Sequence, residues 1–193
     1  MREGNPWFIS CSMSVLDGVE NKNVLLIGGG SGMGQASALA LAESGAKVAI
    51  AGRRMDMLKE TANKFGNGNE ILCKDADVTD RESLEHLFQW FDQSMGKLDF
   101  LIHAAGINVA MRSMQELDPK DWDRLIDINL TGSYNVLRLT LERMRAQKNG
   151  LVVLINSVAG RRSVPLAGIG YNASKFGMSG PVSYTHLTLP TKA

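Results

Sequence analysis

Short apolar runs alternate along the chain with longer segments in which apolar residues recur every three or four positions. The short runs predict buried β-strands at residues 23–27, 47–51, 70–73, 98–102 and 151–155. The longer segments predict amphipathic helices, and the best marked of them aligns five apolar residues between Leu84 and Met95 on one face. Because no hairpin signal joins consecutive strands, we expect parallel pairing through helical crossovers. The pattern predicts a single-domain, doubly wound α/β sheet that binds ligands at the carboxyl ends of its strands.

Polar residues, proline and glycine indicate where the predicted helices begin and end. Gly66 is expected to close the helix that follows the second strand. Thr79 and Glu82 have the spacing of a capping box at the start of the next helix. Asp118 and Pro119 predict the start of a long helix after the fourth strand.

The two ends of the chain are expected to lie outside the domain, which we assign to residues 13–181. Residues 1–12 show no period and are interpreted either as a leader without a role or as the result of an upstream start codon. Residues 182–191 resemble, letter for letter, the translation of a transposase sequencing adaptor, so 182–193 are interpreted as an artefact. A native β-prone tail is the alternative. The last helix would then begin near Tyr171 and end by Pro181, leaving the fold incomplete at its C-terminus.

The composition excludes several classes of protein. The apolar fraction of 44% is too high for disorder, and no run reaches the roughly 18 apolar residues of a membrane helix. A net charge of +1 gives no electrostatic basis for binding nucleic acid or an anionic membrane. Cys11 and Cys73 follow no secretory leader, so we expect reduced thiols and a cytoplasmic protein. The three histidines, of which His186 lies in the tail, lack metal-ligand spacing, and we expect no metal.

A glycine cluster between the first strand and the first helix is the first motif with chemical meaning. Gly28, Gly32 and Gly34 form the pattern G-x-x-x-G-x-G. Glycines let backbone N–H groups and the positive end of the helix approach a pyrophosphate closely. A purely structural turn is the alternative, but the position between a strand and a helix favours a dinucleotide site.

The end of the second strand indicates which dinucleotide is bound. A carboxylate there would accept a hydrogen bond from a ribose 2′-hydroxyl, whereas an arginine would pair with a 2′-phosphate. The chain has Arg53 and Arg54 at this point and no carboxylate before Asp56. NADP is therefore favoured over NAD, with Arg53 as the preferred contact and solvated surface charge as the alternative.

Ser157, Tyr171 and Lys175 have a spacing that indicates acid/base chemistry. Tyr171 and Lys175 are four residues apart in a predicted helix and therefore share a face. A phenol alone ionises at too high a pH for proton transfer, but a nearby ammonium favours the phenolate. Ser157 follows the fifth strand, where its hydroxyl can bind a substrate oxygen. An ordinary helix surface is the alternative for an isolated Tyr-x-x-x-Lys, and the serine and glycine motifs weigh against it.

With these motifs the sequence resembles the short-chain dehydrogenase/reductase family from about Val15 to Gly180. The resemblance implies a Rossmann-like fold and contact of Asp77 and Val78 with the adenine ring. It implies that the cofactor loop consists of Gly28, Gly29, Gly30, Ser31, Gly32, Met33 and Gly34. It places His103, Ala104, Ala105 and Gly106 where the family usually has Asn-Asn-Ala-Gly beside the cofactor.

The resemblance also implies a mechanism. Asn129 matches the asparagine that completes a tetrad with Ser157, Tyr171 and Lys175 and helps to hold a water for proton relay. Hydride would pass between the nicotinamide and a carbonyl or secondary alcohol carbon while Ser157 polarises the substrate oxygen and Tyr171 transfers the proton. Lys175 would assist Tyr171 and bind the nicotinamide ribose. The complete protein is expected to be a homodimer or homotetramer.

The chain departs from the family pattern in two places. Ile27 replaces the threonine that usually precedes the first glycine, and His103-Ala104 replaces both asparagines that brace the fourth strand. Cofactor contacts there must then be made by the backbone. His103 is interpreted either as a substrate-side polar group or as a structural histidine.

Two other functions stay open from the sequence: a dinucleotide-binding sensor without catalysis, and an inactive fragment of an enzyme. The intact Ser, Tyr and Lys set favours the enzyme over the sensor. Reduction of a 3-oxoacyl thioester and oxidation of a sugar or a small alcohol are both compatible with the motifs.

Overall fold

A computed structural model describes residue 16 and residues 18–65 and 71–188, with 182–188 described by their backbone alone. Its sheet has five parallel strands in the order β3-β2-β1-β4-β5. The strands are β1 (Asn23–Ile27), β2 (Lys47–Gly52), β3 (Leu72–Asp75), β4 (Phe100–His103) and β5 (Leu151–Leu154). The prediction of a doubly wound parallel sheet is confirmed.

Helices connect the strands and cover both faces of the sheet. They are α1 (Gly32–Glu43), α2 (Met55–Asn63), α3 (Arg81–Met95), α4 (Pro119–Leu125), α5 (Gly132–Ala146) and α6 (Ile169–Thr188). A π-helical turn (Ile126–Thr131) joins α4 to α5, and two 3-10 turns (Val158–Gly160 and Pro165–Ala167) lie between β5 and α6. The long helix predicted from Asp118 is therefore interrupted by the π turn.

Side chains alternate between the two faces of each strand, so the core consists of two layers, one on each side of the sheet. Leu25 and Ile27 of β1 pack with the apolar stripes of α3 and α5. Val24 and Leu26 face the other way and pack with α1 and α2. Because a strand points successive side chains to opposite faces, β1 is fully buried between the two helical layers.

The register of the central strands sets the position of the site. Ile27 at the end of β1 lies opposite Ala51 of β2 and His103 of β4. The segments after these residues therefore emerge at one edge of the sheet, where the glycine turn, Arg53 and Ala104 meet.

Some predicted boundaries are wrong. The N-cap of α3 is Asp80, whose carboxylate accepts from the backbone N–H groups of Glu82 and Ser83 at 2.9 and 3.2 Å. Thr79 Oγ1 donates instead to Asp77 Oδ1 at 2.8 Å, since Asp80, one residue later, already caps the first free N–H groups of the helix. In addition, β4 begins two residues later than predicted.

The last helix is longer than predicted. It begins at Ile169 and extends through Pro181 to Thr188. A proline removes one backbone donor but leaves the neighbouring donors in place, so it weakens the helix at this turn without ending it.

Several expectations fall outside the described residues. They concern the leader, Cys11, the closure at Gly66, the strand start at Glu70 and the side chain of His186. Within the ranges described above, no helix is long and apolar enough to cross a membrane. The same residues contain no group of three or more His, Cys, Asp or Glu side chains that could hold a metal.

Candidate active site

The turn between β1 and α1 is so tight that only glycine fits at two of its positions. Gly28 has φ +93°, and a Cβ there would lie 2.5 Å from the backbone nitrogen of Ala105. A Cβ on Gly34 would collide with the carbonyl oxygen of Gly28. Gly32 also has a positive φ, but a Cβ there would meet nothing within 4 Å. The turn therefore presents backbone to the site and holds β1 close to the segment after β4.

A cleft of about 240 Å³ lies along this edge of the sheet. It brings together most of the predicted cofactor residues: Gly28, Ser31, Met33, Gly34, Arg53, Arg54, Asp77, Val78, Ala104, Ala105 and Gly106. Gly32 is exposed beside the cleft and does not line it. Further residues that line the cleft, among them Ile107 and Ile128, were not predicted from the sequence. Their position next to predicted residues is what could have indicated them: Ile107 directly follows Gly106, and Ile128 directly precedes Asn129.

Tyr171 and Lys175, on α6, do not line the cleft, but Lys175 lies directly behind Gly106, which does. Its ammonium is buried, donates to the carbonyl of Ile155 at 3.2 Å and lies 5.7 Å from the centre of the Tyr171 ring. A Cβ on Gly106, which lines the cleft, would be 3.7 Å from Lys175 Nζ. Burial lowers the pKa of Lys175 below its ordinary value because the interior solvates the charged form poorly. Tyr171 and Lys175 thus share one face of α6, as their spacing predicts.

Ser157 lies at the junction between β5 and the first 3-10 turn. Its Oγ accepts from the backbone N–H of Ala159 at 3.1 Å and so caps this turn. The hydroxyl hydrogen has no acceptor among the described side chains and backbone, so Ser157 can still donate to a ligand. Val158 and Leu166, on the turns that follow, are exposed apolar residues.

Asn129 occupies the π turn, whose wide backbone directs its side chain into the interior. Its Oδ1 accepts from Ile107 N at 2.8 Å, and its Nδ2 donates to Ile107 O at 2.9 Å and Ser174 Oγ at 3.1 Å. Asn129 therefore ties the segment after β4 to α6 beside Lys175. The sequence pattern did not predict the π turn.

Comparison with known families identifies the chain. The profile of the short chain dehydrogenase family matches residues 22–192. The chain belongs to this family. The match includes most of the adaptor-like tail, and the origin of residues 182–191 stays a prediction.

Relatives and solved structures agree with this membership. The chain is similar to an uncharacterized oxidoreductase of Listeria monocytogenes, with 35% identity over 82% of this chain and 63% of the relative. It is similar in structure to levodione reductase, with a TM-score of 0.83, 30% identity, and coverage of 87% of this chain and 66% of the other. It is also similar in structure to a metagenomic short-chain oxidoreductase in complex with NADP, with a TM-score of 0.80, 27% identity, and coverage of 86% of this chain and 76% of the other.

The chain spans less than two thirds of the length of the curated relatives that it matches, for example 63% and 60%. The described part contains the glycine turn and the cleft, with Ser157 after β5 and Tyr171 and Lys175 on α6. A nicotinamide dinucleotide fits this part. Its pyrophosphate requires the close backbone approach that Gly28 and Gly34 provide, and the exposed guanidinium groups of Arg53 and Arg54 stand at one end of the cleft.

The two departures from the family pattern differ in their structural consequences. Ile27 is a buried core residue, and the Gly28 N–H that follows it donates to Ala51 O at 2.7 Å. His103 is fully buried, so the structure excludes the substrate-side interpretation. Its Nε2 lies 3.1 Å from Ser133 Oγ on α5. Burial, followed by the charge of Lys175, lowers the pKa of His103 from 6.5 to about 4.

Proposed function

We propose that the complete product of this gene is an NADP-dependent oxidoreductase that transfers hydride between the nicotinamide and a carbonyl or secondary alcohol. One observation carries the proposal. The Lys175 ammonium lies 5.7 Å from the Tyr171 ring centre and behind Gly106, a residue that lines the cleft. A buried cation next to a phenol behind the lining of a dinucleotide cleft is suited to proton transfer beside a reacting carbonyl.

Each residue of the set has a proposed role. Ser157 donates its hydroxyl hydrogen to the substrate oxygen and polarises it. Tyr171 donates a proton to that oxygen in reduction and accepts one in oxidation. The charge of Lys175 stabilises the phenolate, and its ammonium also donates to the nicotinamide ribose in place of its weak 3.6 Å contact with Met178 Sδ. Asn129 supports the relay by holding the segment after β4 against α6. The cofactor, when bound, supplies or accepts the hydride.

Arg53 supports the choice of NADP over NAD. It follows β2 directly, is exposed, and forms no salt bridge with any of the described residues. It also lines an adjoining cavity of about 390 Å³, whose lining includes the cationic Lys120 and Arg124 and the anionic Asp123 and Asp127. A 2′-phosphate on the adenosine ribose would provide the dianion that such a guanidinium binds in bidentate geometry. The similar metagenomic oxidoreductase is in complex with NADP.

The proposal also covers the substrate, the location and assembly of the protein, and the origin of its C-terminal residues. The substrate is a small molecule, with 3-oxoacyl thioesters, sugars and small alcohols as candidates. We expect a cytoplasmic homodimer or homotetramer without a bound metal. Residues 182–193 are proposed to be an artefact, and the natural sequence to replace them.

The test is turnover by the complete gene product with NADPH and a panel of ketones. Tyr171→Phe removes only the transferable proton, so we expect at least a 100-fold loss of turnover with NADPH binding retained. The matched control is Tyr134→Phe on α5, where the tyrosine is half exposed and distant in sequence from the set. Retained turnover in Tyr171→Phe would show that the acid/base assignment is wrong. Absence of turnover with any ketone or alcohol would contradict the proposed activity.

A further inference from the structure

The imidazole of His103 is a buried titratable group that the proposed mechanism does not use. It lies at the end of β4 with 0% of the residue exposed. Its Nε2 is 3.1 Å from Ser133 Oγ, and that hydroxyl is 2.6 Å from the carbonyl oxygen of Asn129. These contacts connect a strand residue outside the Ser, Tyr and Lys set to the π turn that carries Asn129.

The two distances determine the tautomer of His103. A carbonyl oxygen only accepts, so the single hydrogen of the Ser133 hydroxyl must point to Asn129 O. Ser133 Oγ then has only lone pairs left for His103, and Nε2 must carry the hydrogen of this contact. With the imidazole neutral, Nδ1 is left as an acceptor.

Nδ1 is buried and has no hydrogen-bond partner among the described residues. A buried acceptor without a donor is costly, and in folded proteins such an atom is usually paired, often with a bound water. The identity of the missing donor follows from the groups nearby.

A closed set of contacts places Lys175 next to His103. The carbonyl of His103 accepts from Ile155 N at 2.9 Å, and the carbonyl of Ile155 accepts from Lys175 Nζ at 3.2 Å. On the other side, Asn129 Nδ2 donates to Ser174 Oγ, and Ser174 directly precedes Lys175 in α6. His103, the π turn and Lys175 are thus linked from two directions.

The contacts above connect His103 with one charged side chain, that of Lys175. The pKa of the imidazole is lowered by burial and by Lys175 alone. The other elements packed against it present neutral groups: Ile27 from β1, Leu154 from β5, Ser133 from α5 and Asn129 O from the π turn. A neutral imidazole with its lone pair available is the form that can coexist with the ammonium.

We propose that His103 is a positioning residue for Lys175, its Nδ1 lone pair supporting the ammonium through one bound water molecule. The water is assigned because no hydrogen bond joins Nδ1 and Nζ directly within the described residues. This inference rests on the proposed function, in which the charge of Lys175 assists Tyr171. His103 contacts neither substrate nor cofactor and acts through Lys175.

Two substitutions separate the two nitrogens of His103. In His103→Asn the side-chain amide can place an oxygen near the position of Nδ1, and the contact with Ser133 is lost. In His103→Gln the longer side chain can reach Ser133, and the acceptor near Nδ1 is lost. The pKa of Lys175 is measured in the complete gene product without cofactor from the ¹³Cε chemical shift, assigned with Lys175→Met.

We expect the pKa of Lys175 to fall by about one unit in His103→Gln and to stay unchanged in His103→Asn, since a hydrogen bond to the charged form raises that pKa. An equal fall in both variants, a fall in His103→Asn alone, or no fall in either would overturn the proposal. The two variants distinguish this role from a purely structural one. If His103 acted only through Ser133, the pKa of Lys175 would fall in His103→Asn and stay unchanged in His103→Gln.

A measurement on the unsubstituted protein keeps the proposal testable if a variant does not fold. The side-chain ¹⁵N spectrum of His103 should show hydrogen on Nε2 and a hydrogen-bonded, unprotonated Nδ1 from pH 5 to 9. Hydrogen on Nδ1 would overturn the proposal. If Tyr171→Phe retains turnover while these His103 results are obtained, the proposed function fails and the His103–Lys175 link stands.

Discussion

The strands of the half of the sheet that carries the glycine turn are more completely buried than those of the half that carries Tyr171 and Lys175. In β1 and β2 the central residues are buried on both faces. In β5, Leu151 and Val153 are exposed and alternate with half-buried residues. The first half, which we call the cofactor half, comprises β1–β3 with α1 and α2. The second, the catalytic half, comprises β4, β5 and the helices α4–α6.

The two halves also build their parts of the site in different ways. The cofactor half excludes side chains at Gly28 and Gly34, so its surface is backbone held by close packing. The catalytic half places polar side chains, among them Asn129 and Lys175, in the interior and satisfies them with hydrogen bonds. The backbone surface of the cofactor half depends on a short stretch of sequence. The polar interior of the catalytic half depends on contacts between distant elements. Substitutions in the two halves should therefore fail for different physical reasons.

The largest effect is expected from Gly28→Ala in the cofactor half. The new Cβ combines a positive φ with a contact 2.5 Å from the backbone of Ala105, which cannot move independently of β4. We expect the free energy of unfolding to fall by about 3 to 4 kcal/mol. Urea denaturation measures this loss.

Gly32→Ala is the matched control for Gly28→Ala. It has a positive φ of +55° but no atom within 4 Å of the new Cβ, so only the backbone strain remains, about 1 kcal/mol. Equal losses in the two variants would show that the close approach to Ala105 does not limit this turn.

The cofactor half is the part that the sequence predicts best. The bounds of β1 are predicted without error, since its apolar run ends directly in glycine. The glycine turn, Arg53 and Asp77 all line one cleft because parallel strands bring their carboxyl ends to one edge. Local pattern and topology are sufficient here.

The catalytic half is predicted less completely because its polar contacts join residues far apart in sequence. The spacing of Tyr171 and Lys175 indicates a shared helix face, and the structure confirms it. The contact of His103 with Ser133 spans 30 residues, and that of Asn129 with Ser174 spans 45. No local period reports such contacts, so the sequence left both interpretations of His103 open and did not predict the π turn.

The second effect is a pH dependence of stability that comes from His103. Its pKa in the folded chain, about 4, lies below its ordinary value of 6.5, so the fold favours the neutral form. The stability that it contributes is present above pH 6.5 and is lost as the pH falls toward 4, where the unfolded chain binds the proton more readily. We expect a loss of about 3 kcal/mol over this range.

The comparison with His103→Asn isolates this contribution, because asparagine does not titrate and the carboxylates of the chain are the same in both proteins. Urea denaturation between pH 4.5 and 7.5, about the range of the two pKa values, should give a shallower pH dependence in the variant. Identical pH dependences in the two proteins would contradict the low pKa of the buried imidazole.

The third effect concerns cofactor choice in the cofactor half. We expect Arg53→Ala to weaken NADPH binding about 10- to 30-fold, because a charge-assisted hydrogen-bond pair to the 2′-phosphate is lost. NADH binding should change little, since NADH has no 2′-phosphate. Isothermal titration of both cofactors measures the difference, and Arg81→Ala, on α3 away from the cleft lining, is the control. Equal affinities of the unsubstituted protein for NADPH and NADH would contradict the proposed preference.

The smallest change in folding free energy is expected at the two edges of the sheet, where the contrast between the halves is most direct. The β3 edge carries the charged Lys74 and Asp75, which discourage pairing with another chain. The β5 edge reads Leu-Val-Val-Leu, and within the described residues β4 is its one pairing partner. We therefore expect the 193-residue chain by itself to self-associate and to show no turnover.

Val153→Lys should reduce this association with a stability change below about 1 kcal/mol, since Val153 is 37% exposed. Leu166→Lys adds the same charge at an exposed apolar residue away from the sheet and should leave self-association unchanged. Sedimentation velocity of the three proteins decides between these outcomes: a monodisperse, active 193-residue chain would show that the exposed β5 edge is not the source of instability.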